Sequence, residues 1–191
     1  MPNEVEFEYT GVEERKDVPK DVSIVRFHPS VKEVSHNVFR EFRKLKEVVL
    51  NEGLRKIGCD SFRSCKLTSI TFPSTIKEVD ASAFCDCTSL KTVVLNKGLQ
   101  TIGQAAFASC ISLECITLPP TTTEIGDCAF YNCQNIREVV LNDGLQTVGL
   151  AAFANCTLLE RINLPSTLTE ISVETFYECT RLREVILHEG L

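Results

Sequence analysis

Residues Leu95–Cys110 read "LNKGLQTIGQAAFASC", and residues Leu141–Cys156 read "LNDGLQTVGLAAFANC". The second copy lies 46 residues after the first, and that echo sets the frame for the whole chain. Internal repetition at a fixed period of a few tens of residues is the signature of a stacked-repeat architecture. Phenylalanines mark a finer period: Phe39, Phe62, Phe84, Phe107, Phe130, Phe153 and Phe176, spaced 23, 22, 23, 23, 23 and 23. Three residues after each comes Phe42, Cys65, Cys87, Cys110, Cys133, Cys156 or Cys179. Coils therefore start at residues 22, 45, 67, 90, 113, 136, 159 and 182, the last being incomplete.

Numbering each coil from its first residue exposes the physical pattern. Positions 1–6 ("LKTVVL") are short, β-branched and alternating, which predicts a strand. Positions 10–13 ("LQTI") predict a second extended piece. Positions 15–21 ("QAAFASC") space Ala, Phe and Cys as a single helical or 3₁₀ turn would. No coil can bury its own apolar groups, so neighbouring coils must stack and share a core. The 46-residue echo follows from two alternating corners after position 6. One carries Asn-x-Gly or a variant (51–53, 96–98, 142–144, 188–190), where Gly supplies positive φ. The other carries proline (28–30, 73–75, 119–121, 165–167), which fixes φ near −65°.

The consensus L-x-x-[IV]-x-L-P-x-x-[LI]-x-x-[IV]-G-x-x-A-F-x-x-C, recurring with fixed phase over residues 22–191, resembles the BspA-like class of leucine-rich repeats. That resemblance implies a leucine-rich-repeat solenoid of about eight coils, used for recognition of proteins or surfaces. Some relatives are microbial surface adhesins and others are intracellular proteins of single-celled eukaryotes. Two features depart from the pattern: coil one has Phe42 for Cys and Val38 before its Phe, and coil two is one residue short near Lys66. Residues 1–21 lie outside the repeats and form an N-terminal cap or arm, with "EVEFEYT" as an edge strand. The repeats stop inside coil eight. An unfinished coil predicts a longer array, a covering partner chain, or self-association through the C-terminal end.

Composition narrows the function. The chain has 191 residues, ten cysteines and a net charge of −6. The acidic start is neither a secretory signal nor a transit peptide, and no stretch approaches the ~18 apolar residues of a membrane span. A cytoplasmic or nuclear location follows, or the cell surface for a trimmed fragment. The ladder cysteines are compact apolar fillers with weak S–H donors. Cys85 and Cys87 form C-x-C, not a paired zinc spacing. His28, His36 and His188 sit in coils that do not bring them together. No nucleophilic triad, phosphate loop or metal-ligating helix is present, so the expectation is a non-enzyme with no metal and no cofactor.

Two surface features remain. Strand position 5 should point away from the core. It is apolar in glycine-type coils (Val49, Val94, Val140, Ile186) and polar in proline-type coils (Arg26, Thr71, Thr117, Asn163). Such a stripe is either strand filling or a protein-binding face. The second is a basic start to the array: Arg40, Arg43, Lys44, Lys46, Arg55, Lys56, Arg63 and Lys66. It is either a solvated flank or a surface for an acidic protein; nucleic acid is disfavoured, because the chain is acidic and the patch lacks interleaved aromatics. The leading expectation is an interaction scaffold that uses its strand face, with a surface adhesin or assembly module as the alternative.

Overall fold

The structure, a computed structural model, describes residues 4–187. The corner at 188–190, and with it His188, lies outside them. The chain opens with β1 (Glu6–Tyr9) and a 3₁₀ turn at Arg15–Asp17, the only helical segment among the described residues. Each of the first six coils then adds one longer and one short strand. These are β2 (Ile24–Phe27) and β3 (Glu33–Val34), β4 (Glu47–Val49) and β5 (Lys56–Ile57), β6 (Ser69–Thr71) and β7 (Glu78–Val79). There follow β8 (Thr92–Val94) and β9 (Thr101–Ile102), β10 (Cys115–Thr117) and β11 (Glu124–Ile125), β12 (Glu138–Val140) and β13 (Thr147–Val148). The last two coils contribute β14 (Arg161–Asn163) and β15 (Glu184–Ile186). All pairings are parallel, and each residue faces its counterpart one coil on, as Thr71 faces Val94 and Ile57 faces Val79. The product is a parallel solenoid of leucine-rich-repeat type.

The short strands β3 to β13 form one continuous six-stranded sheet. The longer strands do not. They form separate sheets β1-β2-β4, β6-β8, β10-β12 and β14-β15. The two corner types account for the interruptions. In proline-type coils the residue after the strand stays in line and donates forward: Phe72 N to Val94 O at 3.0 Å and Leu118 N to Val140 O at 2.9 Å. In glycine-type coils the second residue after the strand, Asn51, Asn96 or Asn142, turns its Nδ2 back onto a carbonyl of the preceding coil. The proline corner returns the contact, with Thr75 Oγ1 donating to Leu54 O and Thr121 Oγ1 to Leu99 O. The two corners are thus complementary halves of one hydrogen-bonded unit, which is why the sequence echoes at 46 and not only at 23. Gly53 and Gly98 hold φ at +107° and +141°, as the corner requires. Gly144 is outside the left-handed region, contrary to expectation. What it provides is clearance, since a Cβ there would lie 2.9 Å from Pro120 O.

The third wall corrects the sequence reading. The "QAAFASC" segment is a run of turns, not a helical or 3₁₀ turn. Positions 16 and 20 of every complete coil have positive φ, among them Asp60 and Ser64, Ala105 and Ser109, and Asn155. Backbone N–H groups point along the solenoid to the next coil: Ser82 to Gln104 O, Phe84 to Ala106 O and Asp86 to Ala108 O, each at 2.8 Å. A helix would satisfy these groups within its own coil and leave neighbouring coils unlinked. The left-handed residues rotate alternate amides outward along the stack, so the wall is hydrogen-bonded almost like a sheet.

Inside, the predicted ladders form. Phe62, Phe84, Phe107, Phe130 and Phe153 stack with centroids 5.2–5.5 Å apart and planes within 9°. Each ladder thiol donates to the Phe carbonyl one coil back, as in Cys65 Sγ to Phe39 O at 3.0 Å and Cys87 Sγ to Phe62 O at 3.1 Å. Coil one has no earlier Phe carbonyl to receive a thiol from its own position. Phe42 stands there instead and lies under the Arg15 guanidinium at 5.9 Å.

Candidate functional site

The strand face is built by parity. Every three-residue strand from β4 to β14 buries its middle residue and exposes the two beside it. Buried Val93, Ile116 and Val139 fix the register, and Val94, Thr117 and Val140 are thereby turned outward. The aliphatic members are well exposed for their size: Val49 38%, Val94 42%, Val140 42% and Ile186 40%. Arg26, Thr71, Thr117 and Asn163 stand opposite them in register, each one coil away. The face is therefore a row of apolar knobs separated by polar side chains. Neighbouring strands lie ~4.8 Å apart, so the knobs recur about every 10 Å. Shallow grooves open where the sheet is interrupted. One runs between β4 and β6 past Val49 and Thr71, the other between β12 and β14 past Val140, Arg161 and Asn163. Cys115 is exposed on the same face.

The basic start of the array is less basic than its composition. Arg40 pairs with Glu41 at 3.6 Å, Arg63 with Asp60 at 3.2 Å and Asp86 at 3.4 Å. Lys56 pairs with Asp80 at 3.0 Å and Glu78 at 3.1 Å. Arg43, Lys44 and Lys46 are exposed and share a cleft with Glu4 and Asp21. Lys66 reaches Thr88 Oγ1, and Arg55 is exposed. The acids that neutralise Arg40 and Arg63 come from positions 16 and 20 of the turn wall, which composition alone does not reveal.

The structure also assembles a cluster that sequence reasoning missed. His36, Cys59 and Asp80 come from three successive coils, and their donor atoms lie within 4.8 Å of one another. His36 and Cys59 both occupy position 15, 23 residues apart, so stacking superimposes them. Asp80 is at position 14, where the other complete coils carry Gly or Ser. That outlier, beside the repeat of 23, is the signal that could have found it. His36 Nδ1 accepts the Cys59 N–H at 3.2 Å. Burial and the neighbouring Asp80 carboxylate push the Cys59 thiol up. A nucleophilic cysteine needs the opposite, a thiol drawn down toward thiolate. The trio is therefore poorly arranged for cysteine catalysis, despite containing Cys, His and Asp.

A family model for the BspA type leucine-rich repeat region matches residues 20–127 and 100–191, in six copies. Comparison with curated proteins finds no significant match. Among solved structures, the T. pallidum leucine-rich repeat protein superposes with a TM-score of 0.78 and 31% identity, over 86% of this chain and 79% of its own. A Bacteroides ovatus leucine-rich repeat protein superposes with a TM-score of 0.74 and 24% identity, over 89% of this chain. The match spans only 50% of the B. ovatus chain. The pneumococcal vaccine antigen PcpA superposes with a TM-score of 0.56 and 21% identity, over 85% of this chain and 55% of its own. No helix among the described residues is long and apolar enough to cross a membrane.

Proposed function

The chain belongs to the BspA-type leucine-rich-repeat family, and on that premise we propose that it is a non-enzymatic scaffold that binds a protein through its strand face. The observation that carries this reading is the register-locked stripe of Val49, Val94, Val140 and Ile186 between Thr71, Thr117 and Asn163. A rigid surface presenting desolvatable aliphatics within a polar setting has the make-up of a recognition patch. Its knobs stand on strands whose buried middle residues lock the register, so little backbone ordering entropy opposes binding. Arg43, Lys44, Lys46, Arg55 and Lys66 support the approach of an acidic partner by steering, an effect that salt should weaken. Ten free thiols, several of them solvent-accessible, suit a reducing compartment.

The test is comparative binding with two double variants. Val94→Lys with Val140→Lys places charge on the strand face. Gln100→Lys with Gln146→Lys adds the same charge at the same spacing on exposed positions beside the short-strand sheet. The first pair should lose at least tenfold in affinity for partners captured by the wild-type protein, while the second retains it. Equal binding by both variants removes the strand face from the reading.

A further inference from the structure

We propose that His36, Cys59 and Asp80 form a site for a zinc-class divalent transition metal, which would tie together the first three coils. The site lies at the end of the short-strand sheet, away from the strand face, and is independent of the recognition proposed above.

Geometry comes first. The three donor atoms lie within 4.8 Å of one another. Tetrahedral zinc, with bonds of ~2.0–2.3 Å, holds its ligand atoms about 3.3–3.8 Å apart. The gap to close is about 1 Å, within reach of side-chain rotation at His36, which is exposed. His36 Nδ1 would exchange the Cys59 N–H for the metal, and that amide is at the surface, where water can take it.

Donor chemistry comes second. One imidazole nitrogen, one thiolate and one carboxylate oxygen form a mixed set that suits zinc or cobalt and disfavours calcium and magnesium, which take oxygen ligands. Three protein ligands leave the fourth position for water. Lys56 holds one oxygen of Asp80 at 3.0 Å, leaving the other to the metal and fixing the carboxylate's orientation. The local charges also balance. A Cys59 thiolate, Asp80 and Glu78 contribute three negative charges against one positive charge from Lys56, so a dication brings the group to neutrality.

The third line is the placement of Asp80. Position 14 is Gly in coils two, four, five and six, and Ser in coils one and seven. The reason is crowding: a Cβ on Gly103 would lie 2.9 Å from the backbone of the preceding coil, and one on Gly58 2.5 Å from Val34 O. Stacking thus favours the smallest residues here. The carboxylate occurs in the one coil where the position lies beside both a histidine and a cysteine.

Cobalt is the probe. The protein should take up one Co²⁺ per chain, with the near-ultraviolet charge-transfer absorption of a thiolate–cobalt bond, and Zn²⁺ should displace it. Cys59→Ser should abolish the band. His36→Gln and Asp80→Asn should each weaken uptake at least tenfold, and Cys115→Ser should leave it unchanged. A missing band, or one that survives Cys59→Ser, overturns the proposal. A second measurement needs no variant: Zn²⁺ should slow alkylation of Cys59 in the wild-type protein without slowing that of Cys115. Equal rates at Cys59 with and without Zn²⁺ would also overturn it.

Discussion

Tyr9 stands edge-on to Phe39, with ring centroids 5.2 Å apart and planes at 71°. The interior Phe rings stack face to face, so this perpendicular ring ends the series at its N-terminal side. Tyr9 is fully buried, and its hydroxyl donates to Ser35 Oγ at 2.9 Å. It is carried there by β1, which pairs in parallel with β2 from Glu6 opposite Ile24 to Tyr9 opposite Phe27. Tyr9→Ala should destabilise the protein by about 3–5 kcal/mol, the usual range for a large buried aromatic. Tyr9→Phe keeps the ring and should lose only about 1 kcal/mol. Urea unfolding of both variants checks this; equal losses would mean that the hydroxyl, not the ring, closes the stack.

The ladder thiols make stability depend on alkaline pH. Burial pushes Cys65 and Cys133 up to about 12, and Cys87, Cys110 and Cys156 also rise well above the ordinary thiol range. In the unfolded chain each returns to about 8.5. A group whose folded pKa is raised contributes stability that is fully present below the unfolded value and is lost as pH climbs toward the folded one. Between about 8.5 and 12, Cys65 and Cys133 should therefore each remove about 1.4 kcal/mol per pH unit, and the other buried thiols act in the same direction. Urea midpoints across that range should fall steeply, and Cys133→Val should make the fall shallower. An unchanged slope in that variant would show that other groups carry the alkaline loss.

The corner glycines should not respond alike. Gly98 combines φ of +141° with a Cβ position 2.2 Å from Ser74 O, and its N–H is held by Thr121 Oγ1 at 3.1 Å. Gly98→Ala therefore meets backbone strain and a hard backbone clash together, and should cost about 2–4 kcal/mol. Gly144→Ala meets Pro120 O at 2.9 Å and the Asn142 side-chain oxygen at 3.0 Å, without the positive φ, and should cost less. Thermal melts of the two variants give the order, and the reverse order would mean that the 46-residue corner unit is held by something other than this geometry.

The architecture was legible because each coil repeats one set of buried positions, and because alternation within "LKTVVL" assigns faces directly. The turn wall was not. Ala106, Phe107 and Cys110 are buried in the turn run, yet the same spacing fits one face of a helix. The stripe of Val94 and Val140 could be read from parity alone, whereas neutralisation of Arg40 and Arg63 depends on acids brought in by turn geometry. His36, Cys59 and Asp80 escaped for a related reason. Metal motifs are sought as short local spacings, while a solenoid superimposes residues a full coil apart. Asp80 is also displaced by one position from the register that aligns the other two.

The left-handed positions of the turn wall give a test with opposite signs. Asn37, Asp60 and Asn155 adopt positive φ through short polar side chains that tolerate it. Ala105 adopts φ of +52° with no such help. An L-residue in this region loses roughly 1–2 kcal/mol relative to its preferred conformation, a penalty that glycine avoids. Glycine gives back about 0.5–1 kcal/mol through its greater freedom in the unfolded chain. Ala105→Gly should therefore stabilise the protein by about 0.5 kcal/mol, which for a chain of this size is a rise of about 1–2 °C in Tm. Ala105→Val keeps the backbone demand and adds a β-branched side chain that resists it, so it should lower stability by more than 1 kcal/mol. A helical segment predicts the reverse for the first variant, since glycine inside a helix destabilises relative to alanine. The sign of the Ala105→Gly change in a calorimetric or urea melt therefore distinguishes the turn wall from the helical turn that residue spacing alone suggested.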